Sequence, residues 1–213
     1  MNGFSSKGTG WLAVLVGMMG TLAIVTLLLF FVGLFQNIHS LSFMGGVNDR
    51  INALTGFLSA LLASVMHPTL QRRAPRLSPV LLVGAWIGAI AITFGSWLII
   101  TGRADVELSS YYYLFGNGLI GIWVYVLNRF ASQQAAWPRN LTRLGLITSV
   151  LMMVGLLNVY GILLGWDGSD FSSLLLGTSI SYLGIGILYP IWCLRLGGWI
   201  FSKEGGRPLA TRE

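Results

Sequence analysis

Charge in this chain is almost confined to the gaps between long apolar runs, and the dominant sign alternates from gap to gap. Lys7, then Arg72, Arg73 and Arg76, then Arg129, Arg139 and Arg143, then Lys203, Arg207 and Arg212 occupy every other gap. Asp49, Asp105, Glu107, Asp167 and Asp170 occupy the gaps between. A helix of about 20 apolar residues crosses the hydrocarbon core of a bilayer. Six runs reach that length: 11–35, 51–70, 78–101, 111–129, 144–165 and 172–196. The pattern therefore predicts an all-α, polytopic transmembrane helix bundle over 11–201, between a short tail at 1–10 and a basic tail at 202–213. The second run is the most polar, with Asn52, Thr55, Ser59, Ser64 and His67. Pro190 marks a site for a kink in the last run, which membrane helices tolerate.

Composition points the same way. Charged residues make up 9% of the chain and hydrophobic residues 54%, and the mean hydropathy is +0.74. Soluble domains carry about 25% charged residues. The net charge of +6 does not read as a nucleic-acid footprint. The basic residues are scattered over short loops beside apolar runs, as the positive-inside bias requires. The run 11–35 is too long for the core of a signal peptide, and no small-x-small cleavage site follows it, so it reads as a retained span.

Orientation follows from counting. With the N-terminus in the cytoplasm, that side holds Lys7, Arg72, Arg73, Arg76, Arg129, Arg139, Arg143, Arg195, Lys203, Arg207 and Arg212, which is eleven basic residues. The other side holds two, Arg50 and Arg103. Both termini are thus expected in the cytoplasm. Arg195 joins the inner set because a long side chain can snorkel from near a span end. Trp11, Trp97, Trp166 and Trp192 lie near span ends, where aromatic belts form.

The segment 75–129 aligns without gaps on 138–192. Pro75-Arg76 meets Pro138-Arg139, and Glu107-Leu108-Ser109-Ser110 meets Asp170-Phe171-Ser172-Ser173. Two explanations stand. One is duplication of a helical hairpin, giving tandem hairpins of one orientation about an axis along the membrane normal. The other is convergence, because serine is a common helix N-cap. Small residues at spacing four suggest packing faces: Gly56, Ala60 and Ser64; Gly84 and Gly88; Gly177 and Ser181. Such faces serve packing within the bundle or contact with a partner subunit.

Catalytic patterns are missing. No Asp, Glu or Lys lies within the six runs, where ion-coupled transporters place their coupling charge. His39 and His67 fall at opposite faces, which excludes bis-histidine haem ligation. The lone Cys193 excludes an intramolecular disulfide. No HExxH, CxxC, GxSxG or phosphate-loop pattern occurs. No cofactor or metal is implied, and the reading is non-enzymatic.

One constellation remains. Thr93, Ser96, Asn117, Asn158, Ser179 and Tyr182 lie about five to ten residues in from the outer ends of their spans, roughly 8–15 Å deep. Polar groups in hydrocarbon are costly unless paired, so they are expected to face inward. They form either an interhelical hydrogen-bond layer or a small polar pocket, lined also by Trp86 or Trp123, for a lipid headgroup, a quinone-like ring or a pigment. The outer acids Asp105, Glu107, Asp167 and Asp170 read as solvated loop charges, and their spacing does not match a calcium loop.

The run Leu188-Tyr189-Pro190-Ile191-Trp192-Cys193-Leu194-Arg195-Leu196-Gly197 resembles the closing span of uncharacterised bacterial six-helix integral membrane proteins. Arg139-Asn140-Leu141-Thr142-Arg143-Leu144-Gly145 is similar to the opening of their fifth span. The resemblance implies a bacterial inner-membrane protein and carries over no functional residue. The expected role is an accessory or structural subunit of a membrane complex, or a binder of a lipid-like ligand. The alternative is a facilitator-type carrier using the outer polar pocket. Membrane lipids, other membrane subunits or further copies are the expected partners.

Overall fold

Apolar runs in low-dielectric surroundings must satisfy their own backbone groups, and helices do so within one segment. The computed structural model describes residues 7–164 and 178–205, and every regular element among them is helical. Helix α1 is Lys7–Phe35, α2 is Met44–Gln71, α3 is Leu77–Ile100 and α4 is Val106–Gln133. Helix α5 covers 139–164, with a 3-10 stretch, Val154–Asn158, inside it. Helix α6 covers 178–205, with a π-helical stretch, Leu183–Leu188. The tail at 206–213, the segment 165–177 and Gly177 of the packing set lie outside the described residues, as do Asp167, Asp170 and the Ser172-Ser173 pair of the aligned loop.

Five helical segments are long and apolar enough to cross a membrane: Lys7–Phe35, His39–Gln71, Leu77–Ile100, Arg139–Asn158 and Thr178–Lys203. Helix α4 is as long, at 28 residues, but more polar, with Glu107, three consecutive tyrosines, Asn117 and Asn128. It packs between α3 and α5.

Each helix packs on its neighbours in the chain, and α6 packs back on α1 to close a ring. All the neighbours run antiparallel. Gly10 lies against Phe201, and Gly186 lies beside Ile24. Gly88 backs onto Gly116, and Gly95 onto Tyr112. The alternation gathers Lys7, Arg72, Arg73, Arg76, Arg139 and Lys203 at one end of the bundle, and Asp49, Asp105 and Glu107 at the other. Trp192 hydrogen-bonds Asn128, and Gly145 abuts the same amide. Arg129, Arg143 and Arg195 therefore share one level near the basic end.

Local sequence explains the ends and irregularities. Asp105 caps α4 by accepting a hydrogen bond from Leu108 N at 2.8 Å. Serine does not cap here: Ser109 donates to Gly95 O and Ser110 to Val106 O. Helix α3 ends in a Schellman motif, with Gly102 at φ +65° and Arg103 N bonded to Leu98 O. Pro190 has no N–H for the carbonyl of Gly186. The turn before it widens, and Tyr189 N reaches Gly184 O.

The packing residues divide. Gly56 meets Ile92, Ala60 is fully buried, and Ser64 accepts from Trp86 Nε1 at 3.1 Å. Gly88 faces Gly116 with backbone almost in contact, and Ser181 lies against Gly155. Gly84 has open space where its Cβ would stand, so it meets no other helix among the described residues. Trp192 is fully buried and belongs to the core, where it meets Trp123 edge-on and stacks on Tyr189. Only Trp11 and Trp97 of the four expected belt residues are exposed among the described ones.

Candidate ligand-binding cavity

A cavity of about 490 Å³ opens toward the acidic end of the bundle, between α1, α2, α3, α4 and α6. Its size lies within the range of small-molecule sites. Its walls differ in chemistry. Helix α1 contributes Gly20, Ala23, Ile24, Leu27, Phe30 and Phe31, which carry no side-chain polar atom. Helix α2 contributes Asn48, Asp49, Asn52 and Thr55. Helix α4 adds Ser109, Ser110, Tyr113 and Asn117, and α6 adds Tyr182 and Tyr189. The polar wall follows helical spacing. Positions 48, 52 and 55 share one face of α2, and 109, 113 and 117 share one face of α4.

Internal bonds order that wall. Tyr113 and Tyr182 stack with ring centroids 5.9 Å apart. The Tyr182 hydroxyl reaches Ser110 Oγ at 3.5 Å. Asn117 Nδ2 donates to Tyr113 O at 2.9 Å. The inner end is closed where the Tyr189 hydroxyl donates to Ser59 Oγ at 2.9 Å. Beyond it lies a packed core of Leu62, Met66, Trp123 and Trp192.

Three of the six residues expected in the polar layer line this cavity: Ser96, Asn117 and Tyr182. The other three do not. Thr93 is exposed, because its hydroxyl donates to Ala89 O one turn back and needs no partner from another helix. Ser179 is exposed as well. It stands two residues before the buried Ser181, about 200° around the helix. Asn158 is buried but lies on α5, which does not reach the cavity. Its Nδ2 donates to Gly155 O at 2.9 Å, and its Oδ1 has no partner among the described residues. Trp86 sits at the α2–α3 contact against Phe57 and Ser64, and Trp123 in the core, so neither lines the cavity.

Sequence reasoning missed Asp49. It read as a loop charge, but α2 begins at Met44, before the apolar run at 51, and carries Asp49 into the wall. It is the only charged side chain among the lining residues. The polar spacing at 48, 52 and 55 was the available signal.

Elsewhere, Ser78 Oγ and His67 Nδ1 pair at 2.7 Å across the α2–α3 contact at the basic end. Cys193 is buried and free. No group of three metal-ligating side chains occurs among the described residues.

The fold and the cavity define a helical bundle of membrane composition with an internal chamber that is apolar on one side and polar on the other. No protein-family model, curated protein or solved structure matches the chain.

Proposed function

We propose that this is a non-enzymatic, six-span protein of the bacterial cytoplasmic membrane, with both termini inside, that binds an amphipathic, lipid-like molecule in its cavity. The observation that carries this reading is the two-sided chamber. An apolar chain fits against α1, and a polar head fits against α2, α4 and α6. The α1–α6 contact supports entry from the bilayer. Up to the middle of α1 it is tight: a Cβ on Gly17 would stand 2.7 Å from Leu194, and one on Gly20 2.7 Å from Pro190. Toward the acidic end the approach is less close, and a Cβ on Gly186 would meet Ile24 at an ordinary contact distance of 3.7 Å. There Phe31 and Ile187 border the cavity and are also 41% and 47% exposed. Native mass spectrometry of gently extracted protein tests the reading. Wild type is expected to carry an amphiphile, and Ala23→Phe, which fills the apolar side, to lose it while melting normally. Protein that emerges empty and takes up nothing from added membrane lipids overturns it.

A further inference from the structure

We propose that the cavity selects amphiphiles with a positively charged head, and that Asp49 supplies the counter-ion. This rests on the reading of the cavity as an amphiphile site and names its chemistry.

Asp49 is the one charged group on the cavity wall, and it is half-buried. No hydrogen bond or ion pair from a described residue reaches its carboxylate. The two basic residues described at this end are engaged elsewhere. Arg50 is exposed, and its Nη1 donates back to Gly46 O at 3.0 Å. The Arg103 guanidinium lies over the Trp97 ring, 4.7 Å from its centre. The exposed Arg50 next in the chain acts on Asp49 only through space, and a carboxylate on the wall of a largely apolar chamber with no directly bonded counter-charge is unfavourable. A ligand ammonium supplies the missing charge at the cavity surface. The stacked Tyr113 and Tyr182 offer aromatic surface in the same chamber, which also favours a cation. The neutral polar neighbours, Asn48 and Asn52, accept or donate and place no competing charge there. An anionic head would meet Asp49 with repulsion.

A matched pair of amphiphiles decides it. Binding of dodecylamine and dodecanol to the purified full-length protein in neutral detergent micelles is followed by tryptophan and tyrosine fluorescence. Wild type is expected to bind dodecylamine about tenfold or more tighter than dodecanol. Asp49→Asn keeps the shape and is expected to remove the preference by weakening dodecylamine binding about tenfold or more relative to dodecanol. Equal affinity of wild type for the two overturns the proposal and leaves the amphiphile site standing. So does a preference that survives in Asp49→Asn, since the charge then lies elsewhere or in the micelle. Binding of neither compound removes the amphiphile site itself, and the charge proposal with it. If Asp49→Asn folds poorly, Asp49→Ser takes its place: loss of the preference supports the assignment to Asp49, and its survival overturns it.

Discussion

The Tyr189 hydroxyl and Ser59 Oγ meet at 2.9 Å where the cavity ends and the packed core begins. Ser59 also donates to Thr55 O at 2.7 Å, so its hydroxyl is satisfied on both counts. Hydrogen bonds between membrane helices contribute about 0.6 kcal/mol on average. Tyr189→Phe and Ser59→Ala are each expected to lower stability modestly, and the double variant by less than their sum, with a coupling of about 0.6 kcal/mol. Unfolding in mixed micelles measures the cycle, and strict additivity would remove the bond from the account. Trp192→Phe should be worse. It leaves the fully buried Asn128 Oδ1 without the indole donor at 3.3 Å, a penalty of about 1–3 kcal/mol. Counting along each helix was legible in the sequence, and Ser96, Asn117 and Tyr182 do meet at one cavity. The direction around the helix was not. In a membrane both faces of a helix are apolar, so the period that marks the core face of a soluble helix is weak. Thr93 then escapes inspection, because threonine hides its hydroxyl on its own carbonyls.

At the scale of elements, the glycine pattern divides in a way that can be measured. Gly84 and Gly88 form one GxxxG, yet only Gly88 meets another helix. There the backbones of α3 and α4 touch at Gly88 and Gly116, and each added Cβ would strike the other's carbonyl. Gly88→Val is expected to destabilise by about 1–3 kcal/mol, as overpacking does. Gly84→Ala removes a flexible residue from open space and is expected to be neutral, or stabilising by up to about 1 kcal/mol. Thermal unfolding of both variants in one detergent decides between these faces. If Gly84→Ala were the more damaging, an unseen partner would be packed on that side. Helix existence was legible for the same reason that charge placement was: long apolar runs have little choice in a bilayer. The inner irregularities were not. Pro190 announced a disturbance but not its form, a π-helical stretch from 183 to 188 beside the cavity. Nor does the sequence around 154–158 signal a 3-10 stretch. Hairpin α3–α4 is regular while α5–α6 carries both departures. Even a duplicated pair would therefore present different faces to the chamber.

For the whole molecule, the ring closes because an even number of antiparallel helices returns the last one beside the first, in opposite sense. The same alternation separates the charges by end, and the cavity falls at the acidic end. Which side of the membrane the proposed ligand would come from then depends only on orientation. In the proposed orientation, which rests on the bias of basic residues, the acidic end faces outward. Labelling with a membrane-impermeant maleimide on intact cells tests this, and the chain suits the test. Its one cysteine, Cys193, is fully buried and should stay silent. Arg103→Cys lies between α3 and α4 at the acidic end, and Ser132→Cys near the close of α4 at the basic end. Neither change weakens the bias: the first removes a basic residue from the sparsely charged side, and the second alters no charge. Arg103→Cys is expected to label on intact cells, and Ser132→Cys only after the membrane is opened. The reverse pattern would turn the bundle over and give the cavity to the inner leaflet. Labelling of wild type would instead mean that the core around Cys193 opens to water, and then the contact between Tyr189 and Ser59 is a gate and not a floor.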